Sequence, residues 1–176
     1  MEQEIAIFFW NLRDTFLFNI FEFISGKFYI LLTSSIFISY AVYKLKKGSL
    51  RFFIVVALSV SFSDIFCYRV LKPMIGRDRP KVELNITQRS ISKRAKDYSM
   101  PSNHASNISA FFIVYFFLVR RFFGILLINS LLICLSRIIL VKHYPTDILL
   151  GIAVGITVGL FSVYLSSFFI RDETLE

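Results

Sequence analysis

The sequence predicts an all-α, integral-membrane helical bundle of five transmembrane helices, with an N-terminal amphipathic helix lying in the interface. Three observations predict it. Hydrophobic residues make up 56% of the 176, with a mean hydropathy of +0.65, above the roughly 45–50% apolar content of soluble domains. The apolar residues gather in continuous runs near the ~20 residues that a span requires, not in the short alternating segments of a membrane barrel. Lysines and arginines bound the runs, where they snorkel to the interface. A chain of this length makes one domain, 1–176.

Residues 5–24 repeat Phe9, Leu12, Phe16, Ile20 and Phe23 at helical spacing and are broken by Arg13, Asp14 and Glu22. That pattern suits a helix lying in the interface; if it crosses, the bundle has six spans. Residues 28–43 are uncharged between Lys27 and Lys44 and form the first span. The basic turn Lys44–Arg51 leads to a second span, 52–71, which carries Asp64 and Arg69. Charges at membrane depth need a partner, and Asp64 is expected to pair within the bundle. Residues 72–100 are polar and loop-like. Residues 101–119 form a third span ended by Arg120 and Arg121, 122–141 a fourth carrying Arg137, and 148–170 an uncharged fifth. Gly151, Gly155 and Gly159 recur every four residues in the fifth, a stripe that lets a neighbouring helix approach closely.

The net charge of +8 and pI near 9.7 are unusual for so apolar a chain. They point to anionic lipid or phosphate as the partner, with nucleic acid the weaker choice. Cys67 and Cys134 each sit inside an apolar run and are expected to be reduced packing residues, too few for a cysteine metal site.

Three polar clusters do not fit a plain bundle. They are Lys72 to Arg79-Pro80, then Pro101-Ser102-Asn103-His104, then Ser136-Arg137 with His143 and Asp147. Each span flips the side of the membrane. The end of span two, the start of span three and the link between spans four and five therefore share one face. A lone juxtamembrane lysine is an anchor, but both histidines of the chain fall in these clusters. Lys72, Arg79 and Arg137 suit a phosphate, Arg as a fork of donors and Lys as a point charge. Ser102 and Asn103 open a helix after a proline, where free N–H groups favour an anion. Two histidines beside a phosphate suit nucleophile and general acid. Asp147, one turn after His143, can fix its tautomer and support the imidazolium. No carboxylate cluster stands by to hold Mg²⁺, so no metal and no cofactor are expected and the cations carry that electrostatic work.

Lys-x6-Arg-Pro, Pro-Ser-x-His and Ser-Arg-x5-His-x3-Asp, spread over 72–147, together resemble the signature of the type 2 phosphatidic acid phosphatase superfamily. These are integral-membrane lipid phosphate phosphatases that share the signature with vanadium haloperoxidases and some soluble acid phosphatases. The resemblance implies that His143 attacks phosphorus and becomes phosphohistidine, oriented by Asp147. It implies that His104 protonates the leaving oxygen, and that Lys72, Arg79, Ser102, Asn103 and Arg137 hold the phosphoryl oxygens without a metal. The second motif usually reads Pro-Ser-Gly-His, and here Asn103 replaces the glycine.

The resemblance therefore implies metal-independent removal of a terminal phosphate from a membrane lipid. Lipid A 1-phosphate or phosphatidylglycerol phosphate is the leading substrate, because the chain looks similar to small bacterial members acting on these. Undecaprenyl pyrophosphate and phosphatidic acid are the alternatives. A non-catalytic transporter of anionic lipid would use the same cations, but it needs neither histidine nor the aspartate. The positive-inside rule puts the 44–51 turn and Arg120-Arg121 in the cytoplasm, and hence the site at the outer, periplasmic face of a bacterial inner membrane. The loop at 72–97 adds Arg77, Lys81, Arg89, Lys93, Arg94 and Lys96, which suit an anionic bilayer or a second phosphate of the head group.

Overall fold

The computed structural model describes residues 1–86 and 97–169, and these are helical with no strand among them. The basic-loop residues Arg89, Lys93, Arg94 and Lys96 lie outside the described residues. The order is α1 (Glu2–Asn11), α2 (Phe16–Ile24), α3 (Lys27–Leu45), α4 (Ser49–Ile65), α5 (Lys72–Ile75), α6 (Pro80–Glu83), α7 (Asn103–Leu118), α8 (Phe123–Ile139) and α9 (Pro145–Phe169). The five long helices coincide with the five expected apolar runs. By length and apolarity, the continuous segment Lys27–Ile75 and the helix Pro145–Phe168 are able to cross a membrane, and Phe123–Ile139 is a shorter apolar helix.

The expected single helix over 5–24 is two helices. Thr15 divides them: its hydroxyl donates to the Leu12 carbonyl at 2.6 Å and accepts from the Phe18 N–H at 3.4 Å, capping α2. A threonine oxygen bound to its own backbone competes with helix continuation, so the chain turns there.

Helices α3 and α4 form an antiparallel hairpin. Lys46 takes a positive φ of 47° at the reversal. Tyr29, early in α3, donates to Asn129 of α8 at 2.8 Å, while Lys44 at its far end donates to the Val119 carbonyl that ends α7. Helix α4 starts at that same end, where Arg51 donates to Ser166 of α9 at 3.4 Å. It finishes at the opposite end, where Ser63 meets Ser106 and Asp64 meets Asn103. The basic turn and Arg120-Arg121 thus share one end of the bundle, and the three polar clusters share the other.

Beyond α4 the helix widens into a π turn, Phe66–Leu71, just before Pro73. Proline has no N–H and clashes with the carbonyl four residues back, and a π turn absorbs that mismatch. Gly76, left-handed at φ 65°, then ends α5.

The core lies where α4, α7, α8 and α9 meet, around Phe52, Phe111, Tyr115, Leu126 and Ile133. Helices α7 and α9 pack along the glycine stripe. A Cβ on Gly151 would lie 2.6 Å from the Ser102 carbonyl oxygen, and one on Gly155 would collide with the Ser106 carbonyl oxygen. Close backbone approach of α9 to α7 therefore requires glycine here. It also fixes the start of α7 against the start of α9, which brings the second polar cluster to the third. Cys67 and Cys134 are both buried and free, as expected of packing residues.

Candidate active site

His143 is carried on a turn between α8 and α9. The Lys142 and His143 N–H groups both donate to the Arg137 carbonyl, at 3.0 and 3.2 Å, and the Val141 N–H donates to Ile138 at 2.9 Å. This is a Schellman closure of α8, which normally places glycine at the left-handed position. Here that residue is Val141, at φ 53° and fully buried. A left-handed conformation costs an ordinary residue about 1–2 kcal/mol, more for a β-branched one. Packing of Val141 against Ala6 of α1 and Tyr144 holds it there. Strain of this kind persists only where the surroundings over-determine the backbone.

Asp147 sits in the first turn of α9 and is completely buried. Its Oδ2 accepts the Tyr144 N–H at 2.8 Å, the reach-back half of a capping box. The same oxygen accepts the Ser99 hydroxyl and lies 3.6 Å from His143 Nδ1. Ser99 Oγ is 3.4 Å from that nitrogen as well. His143 therefore turns Nδ1 toward Asp147 and leaves Nε2 on the other side of the ring. Burial, with Arg79, Lys72 and Arg137 nearby, pushes the His143 pKa down to about 4, against the opposing pull of Asp147. The imidazole is neutral, and so able to act as a nucleophile, at ordinary pH.

The cations of the first and third clusters reach this histidine from separate helices. Lys72 is buried at the start of α5, and its ammonium donates to the carbonyls of Tyr98 at 2.8 Å and Ser99 at 3.2 Å. Two of its three donors thus tie the 97–102 segment to the helix. Arg79 donates to the Lys142 carbonyl at 3.3 Å. Burial draws its pKa down, while Asp147 and Asp97 act in the opposite direction. Arg137, near the end of α8, donates one N–H to the Ser25 hydroxyl at the α2–α3 junction. Its Nε and the hydroxyl of Ser102 are buried with no partner among the described residues. Buried donors left unsatisfied are costly, and an anion accepting from both would relieve them.

Helix α7 supplies the second cluster. Ser102 caps it in extended conformation and donates its N–H to the Asp147 carbonyl at 3.0 Å. His104, half-buried one position into the helix, lies within the field of Arg137, His143, Lys142 and Arg79. Asn103, expected at the phosphate, turns its side-chain amide to a carboxylate. Its amide donates to the Asp64 carboxylate at 2.8 Å and to the Asp64 carbonyl at 3.2 Å. Asn107 donates to the same carboxylate oxygen at 2.9 Å. Asp64 is thus paired inside the bundle as expected, and the side-chain amide nitrogen of Asn103 is committed to it. What Asn103 offers an anion is its backbone N–H in the first turn.

Ser99 and Arg77 were not among the expected site residues. Arg77 donates to Asp147 Oδ1 at 3.0 Å, to the Thr146 hydroxyl at 2.6 Å and to Glu2 at 2.7 Å, with its guanidinium 4.1 Å over the Tyr144 ring. Burial lowers the Arg77 pKa, but Glu2 and Asp147 outweigh it and hold the group above its ordinary value. The sequence did carry a signal for Arg77, which lies inside the first motif two residues before Arg79. Ser99 sits just before the second motif with nothing to distinguish it.

The geometry gathers a neutral histidine, a buried carboxylate and three cations that can receive an anion. Several known proteins are similar to this chain. A lipid A 4'-phosphatase of Bacteroides thetaiotaomicron is 28% identical over 115 residues, covering 62% of this chain and 51% of that protein. A lipid A 1-phosphatase of Rhizobium etli is 29% identical over 116 residues, 64% of this chain and 48% of that one. The chain thus spans about half the length of these two relatives. Among solved structures, a transmembrane PAP2 type phosphatidylglycerolphosphate phosphatase from Bacillus subtilis shares the fold, with a TM-score of 0.66 at 20% identity over 97% of this chain and 86% of that one. The family model of the PAP2 superfamily matches residues 50–171, a stretch that holds all three polar clusters, and the chain belongs to that superfamily.

Proposed function

We propose that this protein is a lipid phosphate phosphatase. It hydrolyses the terminal phosphate of a membrane lipid through a phosphohistidine on His143. The observation that carries the reading is the placing of neutral, buried His143 against Asp147 and within the field of Lys72, Arg79 and Arg137.

The chemistry proceeds in two displacements. Nε2 of His143 attacks phosphorus in line with the ester oxygen, the P–O bond breaks, and His104 gives its proton to the departing oxygen. The positive charge that forms on His143 is supported by Asp147, and the equatorial oxygens are held by Lys72, Arg79, Arg137, Ser102 and the first-turn N–H groups of α7. A water then attacks phosphorus with His104 taking its proton, the P–N bond breaks, and inorganic phosphate leaves. The three cations carry the charge that a divalent metal carries in other phosphatases, so the reaction proceeds without one.

The names of the bacterial relatives favour the 1- or 4'-phosphate of lipid A, and the fold neighbour favours phosphatidylglycerol phosphate; all present a terminal phosphate monoester. Phosphate release from a panel of these lipids, with phosphatidic acid and undecaprenyl pyrophosphate, tests the reading in detergent. Release that persists in excess chelator is expected. No release from any of them, or release that needs added Mg²⁺, contradicts it.

The same reading takes α3, α4, α7, α8 and α9 as five membrane spans, with the site at the outer face of a bacterial inner membrane. Lys44, Lys46, Lys47, Arg51, Arg120 and Arg121 then lie at the cytoplasmic end. Asn85, exposed just after α6 at the site end, reports on this. In an Asn85→Cys variant, an impermeant thiol reagent is expected to label intact spheroplasts. Labelling only after permeabilisation reverses the orientation.

A further inference from the structure

Helix α1 lies outside the stretch matched by the superfamily model, yet it reaches the site. The Glu2 carboxylate accepts from Arg77 at 2.7 Å through one oxygen. Through the other it accepts the Thr146 N–H at 3.1 Å and the Thr146 hydroxyl at 2.8 Å. Arg77 in turn holds Asp147 Oδ1 and the same Thr146 hydroxyl. The result is a closed ring of Glu2, Arg77, Thr146 and Asp147 on the first turn of α9. A second tie runs beside it: Gln3 donates to Glu83 at 3.1 Å, and Glu83 accepts the Tyr144 hydroxyl at 2.6 Å. Ala6 packs on Val141 and Tyr144, the residues that flank the His143 turn.

The charges run in a row, Glu2 negative, Arg77 positive and Asp147 negative. Arg77 alone would draw the carboxylate of Asp147 to itself and weaken its hold on His143. Glu2 takes a share of that guanidinium and, by gripping Thr146, fixes the backbone next to Asp147. Glu2 is about 31% exposed and Arg77 about 26%, so the pair contributes little to stability through its charge alone. Burial pushes the Glu2 pKa up, but Arg77 and Thr146 outweigh it and keep its carboxyl below the usual range.

We propose that Glu2 is a positioning residue for the reaction: acting through Arg77 and Thr146, it sets the orientation of Asp147 and hence of His143. The inference rests on the phosphatase reading above. It gives α1 a part in the chemistry beyond lying in the interface. Misplacement of a catalytic group by even an ångström costs about 10²-fold in rate.

The test is steady-state phosphate release from the best lipid of the panel by the full chain in detergent. Four variants are compared with wild type: Glu2→Gln, Glu2→Asp, Arg77→Met and the double variant Glu2→Gln/Arg77→Met. Thermal melting of each checks the fold. Glu2→Gln is expected to lower kcat about 10–100-fold, with KM within about twofold and melting unchanged. Glu2→Asp recovers part of the loss. In the Arg77→Met background Glu2→Gln costs clearly less than it does alone, because only the Thr146 route to Asp147 remains to be cut. A Glu2→Gln enzyme with wild-type kcat overturns the inference and leaves the phosphatase reading standing, as do losses that simply add in the double variant. A folded wild type that releases phosphate from no lipid overturns both.

Discussion

His143→Ala is expected to lower kcat by about 10⁴-fold or more, with the protein still folded in detergent. Removal of a nucleophile that acts with its partners as one unit abolishes nearly all of the catalysis the unit supplies. In free energy this is about 5.5 kcal/mol of transition-state stabilisation. Among the described residues no other group near the site can take over. His104 is held on α7, and the cations bind oxygen but do not attack phosphorus. The side chain is 3% exposed, so the alanine also leaves a cavity. Melting temperature must therefore be read beside the rate, and His143→Gln serves as the more conservative partner. Wild-type kcat in either variant would remove His143 from the chemistry.

Asp147→Asn is expected to lower kcat about 10³–10⁴-fold, by analogy with the loss seen when the aspartate of a serine-protease triad is made an amide. The carboxylate accepts from Ser99, Arg77 and the Tyr144 N–H and faces His143 Nδ1. An amide keeps one acceptor oxygen and turns an NH₂ toward one side. Facing Arg77, it sets donor against donor. Facing His143 and Tyr144, it abandons the capping bond and opposes the tautomer that leaves Nε2 free for attack. Either way the positive charge formed on His143 loses its counter-charge. A kcat within about tenfold of wild type would leave Asp147 a structural cap only.

The spacing of residues 72–147 made much of this legible. Lys72, Arg79, Ser102, His104, Arg137, His143 and Asp147 lie at one end of the bundle because successive long helices run in alternating directions and return there. The glycine stripe announced a close approach by some neighbouring helix, which proves to be α7, for the same reason that a Cβ cannot fit there. Other features depend on tertiary contacts that no local pattern encodes. The break at Thr15 turns on a hydroxyl choosing its own backbone. The left-handed Val141 has the wrong residue type for its position and is held by Ala6, far away in sequence. Asn103 looked like a substitute for glycine at a phosphate. The partner of its side-chain amide, Asp64, comes from α4 and is set by the register of two helices. Ser99 and Glu2 belong to no motif, and only the fold brings them to Asp147 and its partner Arg77.

On the proposed mechanism phosphorus passes through His143. Rapid acid-free quenching of the enzyme with ³²P-labelled lipid, followed by alkaline denaturation and peptide mapping, tests it most directly. The account predicts a phosphopeptide containing residue 143 that is stable to alkali and labile to acid, formed within the first turnover and absent from His143→Ala. Full turnover with no phosphate bound to the protein at any time, or label on another residue that persists in His143→Ala, would contradict it.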